Sequence, residues 1–459
     1  MSEPQALLPA PVTGEARKKK RWAVAFGPRF FLLLIVGLVW LGPAFRIPKF
    51  FYALLAWDVL VFLAWFADLL SLPHAGNLVL TRYWRGVPAL SVGAEIALAV
   101  ENKGKVPLHV TLIDNIPNML RVEAPKLELK VAAKNETTKS YSILPTARGE
   151  ATLNSVYLRY QGPMRIAEKW AMAELPQRVC VYPNLQEAER QSIYLIRSRQ
   201  IEMEKRHTRM KGLGREFESL REYREGDEYR DVCWTASARR GKLVTKLFQI
   251  EHSQTIWLVI DSGRLMRAKI AGLTKLDYAT NAALSLGQVA LGSGDRVGLL
   301  AYGRGIQHRV PPYRGSAHLR LIIEQLARVQ EEASEADHLQ AVTTLLSTQH
   351  RRSLIVWITD FPETAMTPEV IEAAAQMTAR HLVLFVVIGQ PDLDATARKE
   401  PGSVSEMFLT TAAQEMVHRR EVMLATLRQR GALAIEASSS TVSAMLVNSY
   451  LDVKQRSML

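Results

Sequence analysis

Cysteine is nearly absent: Cys180 and Cys233 are the only two in 459 residues. Two cysteines cannot build a disulfide framework, and a structural zinc site usually needs four Cys or His ligands. The economical reading is two reduced thiols in a reducing compartment. No Gly-x-x-x-x-Gly-Lys-Ser/Thr loop occurs, so ATP hydrolysis through a P-loop is excluded. No Cys-His-Asn arrangement is visible around Cys233, which reads as an inert thiol, and His207 and His252 stand alone. Long hydrophobic runs are missing beyond residue 75, and no internal repeat is evident. Aromatic residues make up 8% of the chain, and the basic run from Lys205 to Lys211 lacks interleaved aromatics. Nucleic-acid binding is therefore not expected there.

What the chain does have is positive charge and a hydrophobic N-terminal region. The formal net charge is +13, a balance that attracts anionic partners or membrane surfaces. Part of it comes from Arg17 to Arg21, inside a polar stretch, residues 1–21, expected to be disordered. Phe30 to Phe45 carries no charge and is slightly short of the roughly 20 residues a spanning helix needs. Trp22 to Phe26 can lengthen it, with Arg29 snorkelling toward headgroups. Phe50 to Leu72 is long enough by itself. The four-residue link Arg46-Ile47-Pro48-Lys49 makes a tight transmembrane hairpin over residues 22–75. A cleaved signal peptide fits less well, because the second apolar stretch starts at once. Five consecutive basic residues precede the first helix, so the positive-inside rule places the N-terminus and everything after residue 75 in the cytoplasm, at an inner membrane. Asp58 lies about 12 Å into the second helix, where a carboxylate is costly and marks a candidate functional position.

After the hairpin the periodicity changes. Glu95–Val100, Leu108–Ile113, Lys126–Val131, Ser140–Leu144 and Thr152–Leu158 alternate with period two, separated by turn signals such as Asn102-Lys-Gly104 and Gly162-Pro163. This predicts a small β-sandwich over residues 76–185. A charged linker, residues 186–250, begins with a helix-prone stretch. From residue 251 to 459, continuous apolar strands (Ile256–Ile260, Leu354–Thr359, Leu382–Ile388) alternate with helices (Lys275–Leu291, Val404–Gln429, Thr441–Lys454). That pattern predicts a doubly wound α/β domain with a parallel sheet covered on both faces.

The densest segment runs from Gly212 to Leu247. It contains Glu216-Phe217, Leu220-Arg221, Tyr223, Gly226-Asp227, Arg230, Trp234 and Ser237-Ala238-Arg239, followed by Gly241-Lys242-Leu243. This resembles the signature of a bacterial family known as domain of unknown function 58. One departure is Cys233, where the family has a polar residue before the tryptophan. The resemblance extends over nearly the whole chain. It implies a membrane hairpin, a β domain and a von Willebrand factor A-like α/β domain. It also implies partnership with MoxR-type AAA+ ATPases, thought to remodel or activate other proteins.

Two sites follow. Ligands of open α/β sheets bind beyond the C-terminal strand ends, where Asp261 and Asp360 are expected to meet. In A-like domains that place holds a metal through an Asp-x-Ser-x-Ser motif. Here the motif reads Asp261-Ser262-Gly263-Arg264-Leu265; both serines are lost, and Arg264 adds a positive charge. Magnesium wants six oxygens in near-octahedral geometry, so the preferred reading is two carboxylates paired with basic residues, with bound magnesium as the alternative. In the signature segment, Arg221, Arg230 and Arg239 can fork onto Glu216 and Asp227. Together with Phe217, Tyr223 and Trp234 they form either a network docking the two soluble domains, a partner-binding surface or, least favoured, a catalytic site. The expectation is a membrane-anchored, cytoplasm-facing scaffold or adaptor that is not an enzyme and carries no cofactor. Its partner is a protein, a MoxR-type ATPase or that ATPase's client. A metal-dependent adhesion-type receptor and a hydrolase are the alternatives.

Overall fold

The computed structural model describes residues 8–18, 23–47, 49–184, 216–224, 227, 229–249, 253–360 and 368–456. The chain divides into two compact units, Met1–Asn184 and Leu185–Leu459. The helix-prone stretch of the linker, with His207 and the basic run near it, lies outside the described residues, as do Gly226 and His252.

The first unit starts with β1 (Val12–Arg17) and β2 (Val24–Phe26). Strand β1 falls where disorder is expected; it pairs with two other strands, and Ala16 is buried in the core. The helices α1 (Pro28–Gly37), α2 (Leu41–Ala44) and α3 (Phe50–Ser71) follow. Among the described residues α3 is the one helix long and apolar enough to cross a membrane. The first apolar stretch is shorter than a spanning helix, and a 3₁₀ turn at Leu38–Trp40 separates α1 from α2. Pro43 follows within that second turn and can donate no backbone hydrogen bond. The expected pair of spanning helices is therefore one helix of spanning length beside a shorter one. They pack together. The Trp57 indole donates to the Leu33 carbonyl at 3.0 Å and covers Gly37, where a Cβ would come within 2.5 Å of the ring.

Seven more strands complete this unit: β3 (Leu78–Arg85), β4 (Ala94–Asn102), β5 (Leu108–Asp114), β6 (Lys126–Val131), β7 (Asn135–Ile143), β8 (Gly149–Gln161) and β9 (Ala167–Val181). They form one antiparallel sheet in the order β6-β5-β8-β9-β1-β3-β4-β7, with β2 added beside β9. The expected sandwich is thus a continuous path that folds over a single core, bringing its ends together: Lys139 of β7 donates to the Glu128 carbonyl of β6 at 3.0 Å. One side of each alternating strand feeds the core, as in β6 with Leu127, Leu129 and Val131 buried. Within the core Arg82 and Asp114 are both fully buried and paired, and the Tyr141 hydroxyl donates to the same carboxylate at 2.7 Å. A buried pair of this kind needs its remaining donors satisfied; Arg82 also donates to the Leu175 carbonyl at 2.9 Å.

The second unit opens with a hairpin of β10 (Glu216–Glu222) and β11 (Val244–Gln249), which enclose α4 (Trp234–Arg240). Then come β12 (Thr255–Asp261) and the two-residue strands β13 (Lys269–Ile270) and β14 (Leu273–Thr274). They lead into α5 (Lys275–Gly292) and β15 (Arg296–Tyr302). Next are β16 (Ile306–Tyr313), α6 (Ser316–Arg328), α7 (His338–Thr348) and β17 (Leu354–Thr359). The chain ends with α8 (Pro368–Thr378), β18 (Leu382–Ile388), α9 (Pro391–Arg398), α10 (Val404–Gln429), β19 (Leu433–Ala437) and α11 (Val442–Gln455). The six-stranded sheet runs β16-β15-β12-β17-β18-β19. All pairings are parallel except β15–β16 at one edge. Strands β17 and β18 are buried at every residue, because helices cover both faces of a parallel sheet.

Candidate functional site

The parallel pairing of β12 with β17 places Ile260 beside Ile358, so the next residues, Asp261 and Thr359, also end side by side. Both are buried. Thr359 donates its hydroxyl to one oxygen of Asp261 at 2.6 Å, and the Gly263 amide donates to the other at 2.7 Å. Burial holds the Asp261 carboxyl above the usual carboxylate range, against the pull of His338 and of these two hydrogen bonds.

Asp360 follows directly and meets Lys275, the first residue of α5, in an ion pair. The lysine side chain is completely buried. Its ammonium is delivered by a capping box: Thr274 accepts from the Asp277 amide at 3.2 Å, and the Asp277 carboxylate accepts from the Thr274 amide at 3.0 Å. Burial pushes the Lys275 pKa below its ordinary value, and Asp360 pulls it back up. Lys275 carries no sequence signal, because a lysine opening a helix is ordinary.

This donor set does not fit magnesium. The ammonium of Lys275 already stands against Asp360, and both Asp261 oxygens are engaged. A serine at position 263 has no room, since a Cβ there would lie 2.9 Å from the Ala336 backbone nitrogen. Ser262 turns to the neighbouring strand and donates to the Tyr302 carbonyl at 2.8 Å. Arg264 pairs at 3.4 Å with Glu335. Among the described residues no group of three or more His, Cys, Asp or Glu side chains could hold a metal ion.

Above this buried layer is a cavity of about 450 Å³ lined by Arg264, Arg267, Lys269 and Arg420 with Glu331 and Asp360. Leu265, Ala268 and Met416 add apolar surface. Arg267 lies 3.9 Å from Glu331, and Arg420 pairs with Glu436 at 2.9 Å. Three of the four cations are thus paired with carboxylates, and Lys269 has no ion-pair partner among the described residues; the cavity sits where open α/β sheets bind ligands.

The signature residues collect around the β10–β11 hairpin. Arg221 donates to Asp227 at 2.6 Å, and the Arg224 amide donates to the same carboxylate at 2.9 Å. The backbone bond of Arg224 is the first cause holding the Asp227 carboxyl below the usual range, with Arg221 adding to it. The Tyr223 and Tyr229 rings stack 5.8 Å apart. Glu216 and Phe217 occupy strand β10, paired with Gln249 and Phe248; their side chains lie outside the described residues. Arg230 and Arg239 are exposed, and Trp234 is 65% exposed at the start of α4. Ser237 locks that helix to β11 by accepting the Val244 amide at 2.9 Å, and Gly241 ends it at φ 64°. Cys233 precedes α4, and neither cysteine is in a disulfide.

Residues 219–428 match the family profile described as protein of unknown function DUF58. That stretch begins inside β10 and ends inside α10, so it spans the signature hairpin and the strand-end site. An uncharacterised protein of Mycobacterium tuberculosis (strain H37Rv) is 28% identical over 39% of this chain and 56% of its own length. The uncharacterised protein YeaD of Bacillus subtilis is 25% identical over 44% of this chain and 48% of its own length. The chain thus matches about half the length of these curated relatives. Among solved structures, the conserved hypothetical protein BatB from Bacteroides thetaiotaomicron is 14% identical, with a TM-score of 0.31 over 44% of this chain and 99% of that one. An uncharacterised membrane-spanning protein from Vibrio fischeri is 16% identical, with a TM-score of 0.17 over 44% of this chain and 98% of that one.

Proposed function

We propose that this chain is a membrane-anchored adaptor whose second unit engages a partner protein, a MoxR-type AAA+ ATPase or that ATPase's client. In this reading α1 to α3 form a hairpin in the inner membrane, and both units face the cytoplasm. The second unit is read as a von Willebrand factor A-like domain that docks through its strand-end crevice and through the surface around Trp234.

The observation that carries the reading is the crevice itself: the exposed Arg264, Arg267 and Lys269 stand around a carboxylate that already holds an internal counter-ion, Lys275. Such a wall suits docking of an acidic surface better than bond-breaking chemistry, because Asp360 is committed to an ion pair. The metal-dependent adhesion alternative is disfavoured for the same reason, since the lysine supplies the positive charge that a metal would bring. The exposed Trp234 adds a residue type that dominates binding energy at interfaces.

Crosslinking and mass spectrometry in native membranes test this, comparing the natural chain with Arg267→Glu/Lys269→Glu and with Trp234→Ala. The expected result is an AAA+ protein crosslinked to the crevice and lost from both variants. A pull-down from solubilised membranes that repeatedly lacks any AAA+ protein would overturn it.

A further inference from the structure

The first unit contains a second cavity, of about 560 Å³, at the foot of the apolar helices. Its floor is the outward face of three neighbouring strands, β6, β5 and β8. Their register sets His109 between Lys130 and Gln161, and Thr111 between Glu128 and Arg159. The turn after β8 adds Arg165, whose φ of 56° lies in the left-handed region. A non-glycine residue stays there only where its surroundings hold it, a situation common at ligand clamps. The Arg165 guanidinium donates to a ring nitrogen of His109 at 2.8 Å. Phe26, Pro28 and Phe31, where the chain enters α1, form the remaining wall.

Charge in this cavity is unevenly spent. Glu168 is buried and occupied: it accepts from Gln161 at 2.8 Å and from the Trp170 indole at 2.7 Å, and it pairs with Arg159 at 3.8 Å. Glu128 lies 3.4 Å from Lys126. The Lys130 ammonium has no ion-pair partner among the described residues. Burial, then the positive charges of Arg165, Lys130 and Arg29, hold the His109 pKa below its ordinary value. Beside these cations two aromatic rings stand open, Phe26 at 40% and Phe31 at 53% exposure. A free inorganic anion would use the cations and leave the rings idle. An anionic phospholipid uses both, because its phosphate and its acyl chains are joined.

We propose that this pocket binds the headgroup of an anionic phospholipid. Arg165 and Lys130 hold the phosphate, and Phe26 and Phe31 lie along the start of the acyl chains. The site rests on the reading that the apolar helices sit in a bilayer, and it would fix the first unit against the membrane surface.

The test uses the full chain in neutral detergent, with native mass spectrometry after addition of phosphatidylglycerol or phosphatidylcholine. Phosphatidylglycerol is expected to be retained in preference, and Lys130→Ala/Arg165→Gly to weaken that preference roughly tenfold or more. Glycine is chosen at 165 because it tolerates the left-handed backbone, so the fold is spared. Lys105→Ala, an exposed lysine away from the cavity, is expected to change nothing. Equal retention of the two lipids, or a preference untouched by the double variant, overturns the site. So does competition by inorganic phosphate as effective as that by the lipid. Carbonate extraction of cell membranes separates the two failures. A chain released by carbonate contradicts the bilayer reading, whereas a chain that stays in the membrane without lipid preference contradicts the pocket alone.

Discussion

Lys275 and Asp360 meet as a buried ion pair at the C-terminal edge of the second unit's sheet, the lysine wholly out of water. Withdrawing the cation from a buried carboxylate is costly, so Lys275→Ala is expected to destabilise the protein by about 3–5 kcal/mol. Lys275→Met/Asp360→Leu, which removes both charges and keeps volume, should recover most of that loss. Urea unfolding of the four proteins in the cycle gives the coupling. The pair also has a pH signature. Because burial lowers the Lys275 pKa, the unfolded chain binds more protons between the folded value and 10.5. Stability from this group therefore rises with pH across that window. The rise should be missing in Lys275→Met, and an identical alkaline slope in both proteins would refute the assignment.

Magnesium and manganese should not bind at Asp261 and Asp360. A site filled at a hundredfold excess over its Kd would add about 2.7 kcal/mol to stability, which is a clear rise in Tm. With Lys275 in place against Asp360, millimolar metal is expected to leave Tm unchanged and to give no heat in calorimetry. A metal-dependent rise in the natural chain would show that the lysine can be displaced.

The contrast between these residues shows what a linear sequence can carry. Strands Leu354–Thr359 and Leu382–Ile388 are legible to the residue, because a strand buried on both faces is a continuous apolar run bounded by polar residues. The two aspartates were legible as strand-end residues for the same reason. Lys275 was not, since it is 85 positions from Asp360 and only the sheet's topology joins them. Irregular strands are hidden as well. Strand β16 carries Pro311 and Pro312 and half-exposed polar residues, which an edge tolerates and which hide it from pattern reading. Strand β9 is interior, between β8 and β1, and is masked by Pro176, which falls where its register with β8 shifts. Strand β1 borders a basic run that reads as solvated tail; its pairing with β3 and β9 is a tertiary choice. In the signature segment the Arg221–Asp227 pair was legible, whereas the exposure of Trp234 was not, because exposure is a property of the fold.

Glu332 closes the loop beside the β15–β16 turn, and Gly303 makes room for it. Its carboxylate accepts from the Arg304 amide and from Gln307, both at 2.7 Å. A Cβ at position 303 would lie 2.4 Å from the Glu332 carboxyl carbon. Gly303→Ala is expected to push the carboxylate off its donors and cost about 1–2 kcal/mol. The backbone bond of Arg304, first among the causes, lowers the Glu332 pKa below 4.5. Its contribution is thus fully present above pH 4.5 and lost as pH falls through the folded value. Glu332→Gln should flatten that acid limb in thermal melts recorded between neutral pH and pH 3, and Gly303→Ala should flatten it too. If Gly303→Ala melts like the natural chain, the loop accommodates the methyl group and the close approach has no energetic weight.

Asp68 and Asp58 share helix α3 and are expected to behave in opposite ways. Asp68 lies near the helix end, where a carboxylate is ordinary in sequence, yet it is buried and accepts the backbone amides of Ile166 and Ala167 at 3.0 and 2.9 Å. It therefore ties the last turns of α3 to the start of β9. Asp68→Ala strands two amide donors, at an expected cost of about 2–3 kcal/mol. Asp58 is half-buried and has no hydrogen-bond partner among the described residues, so Asp58→Leu removes a costly polar group from an apolar helix and should be neutral or stabilising. Thermal melts of the detergent-solubilised full chain measure both changes, and limited proteolysis at the α3–β3 junction should accelerate in Asp68→Ala alone. If Asp58→Leu lowers Tm as much as Asp68→Ala, then Asp58 has a partner beyond this chain, and the same variant should be examined for loss of a second copy or another membrane helix by crosslinking.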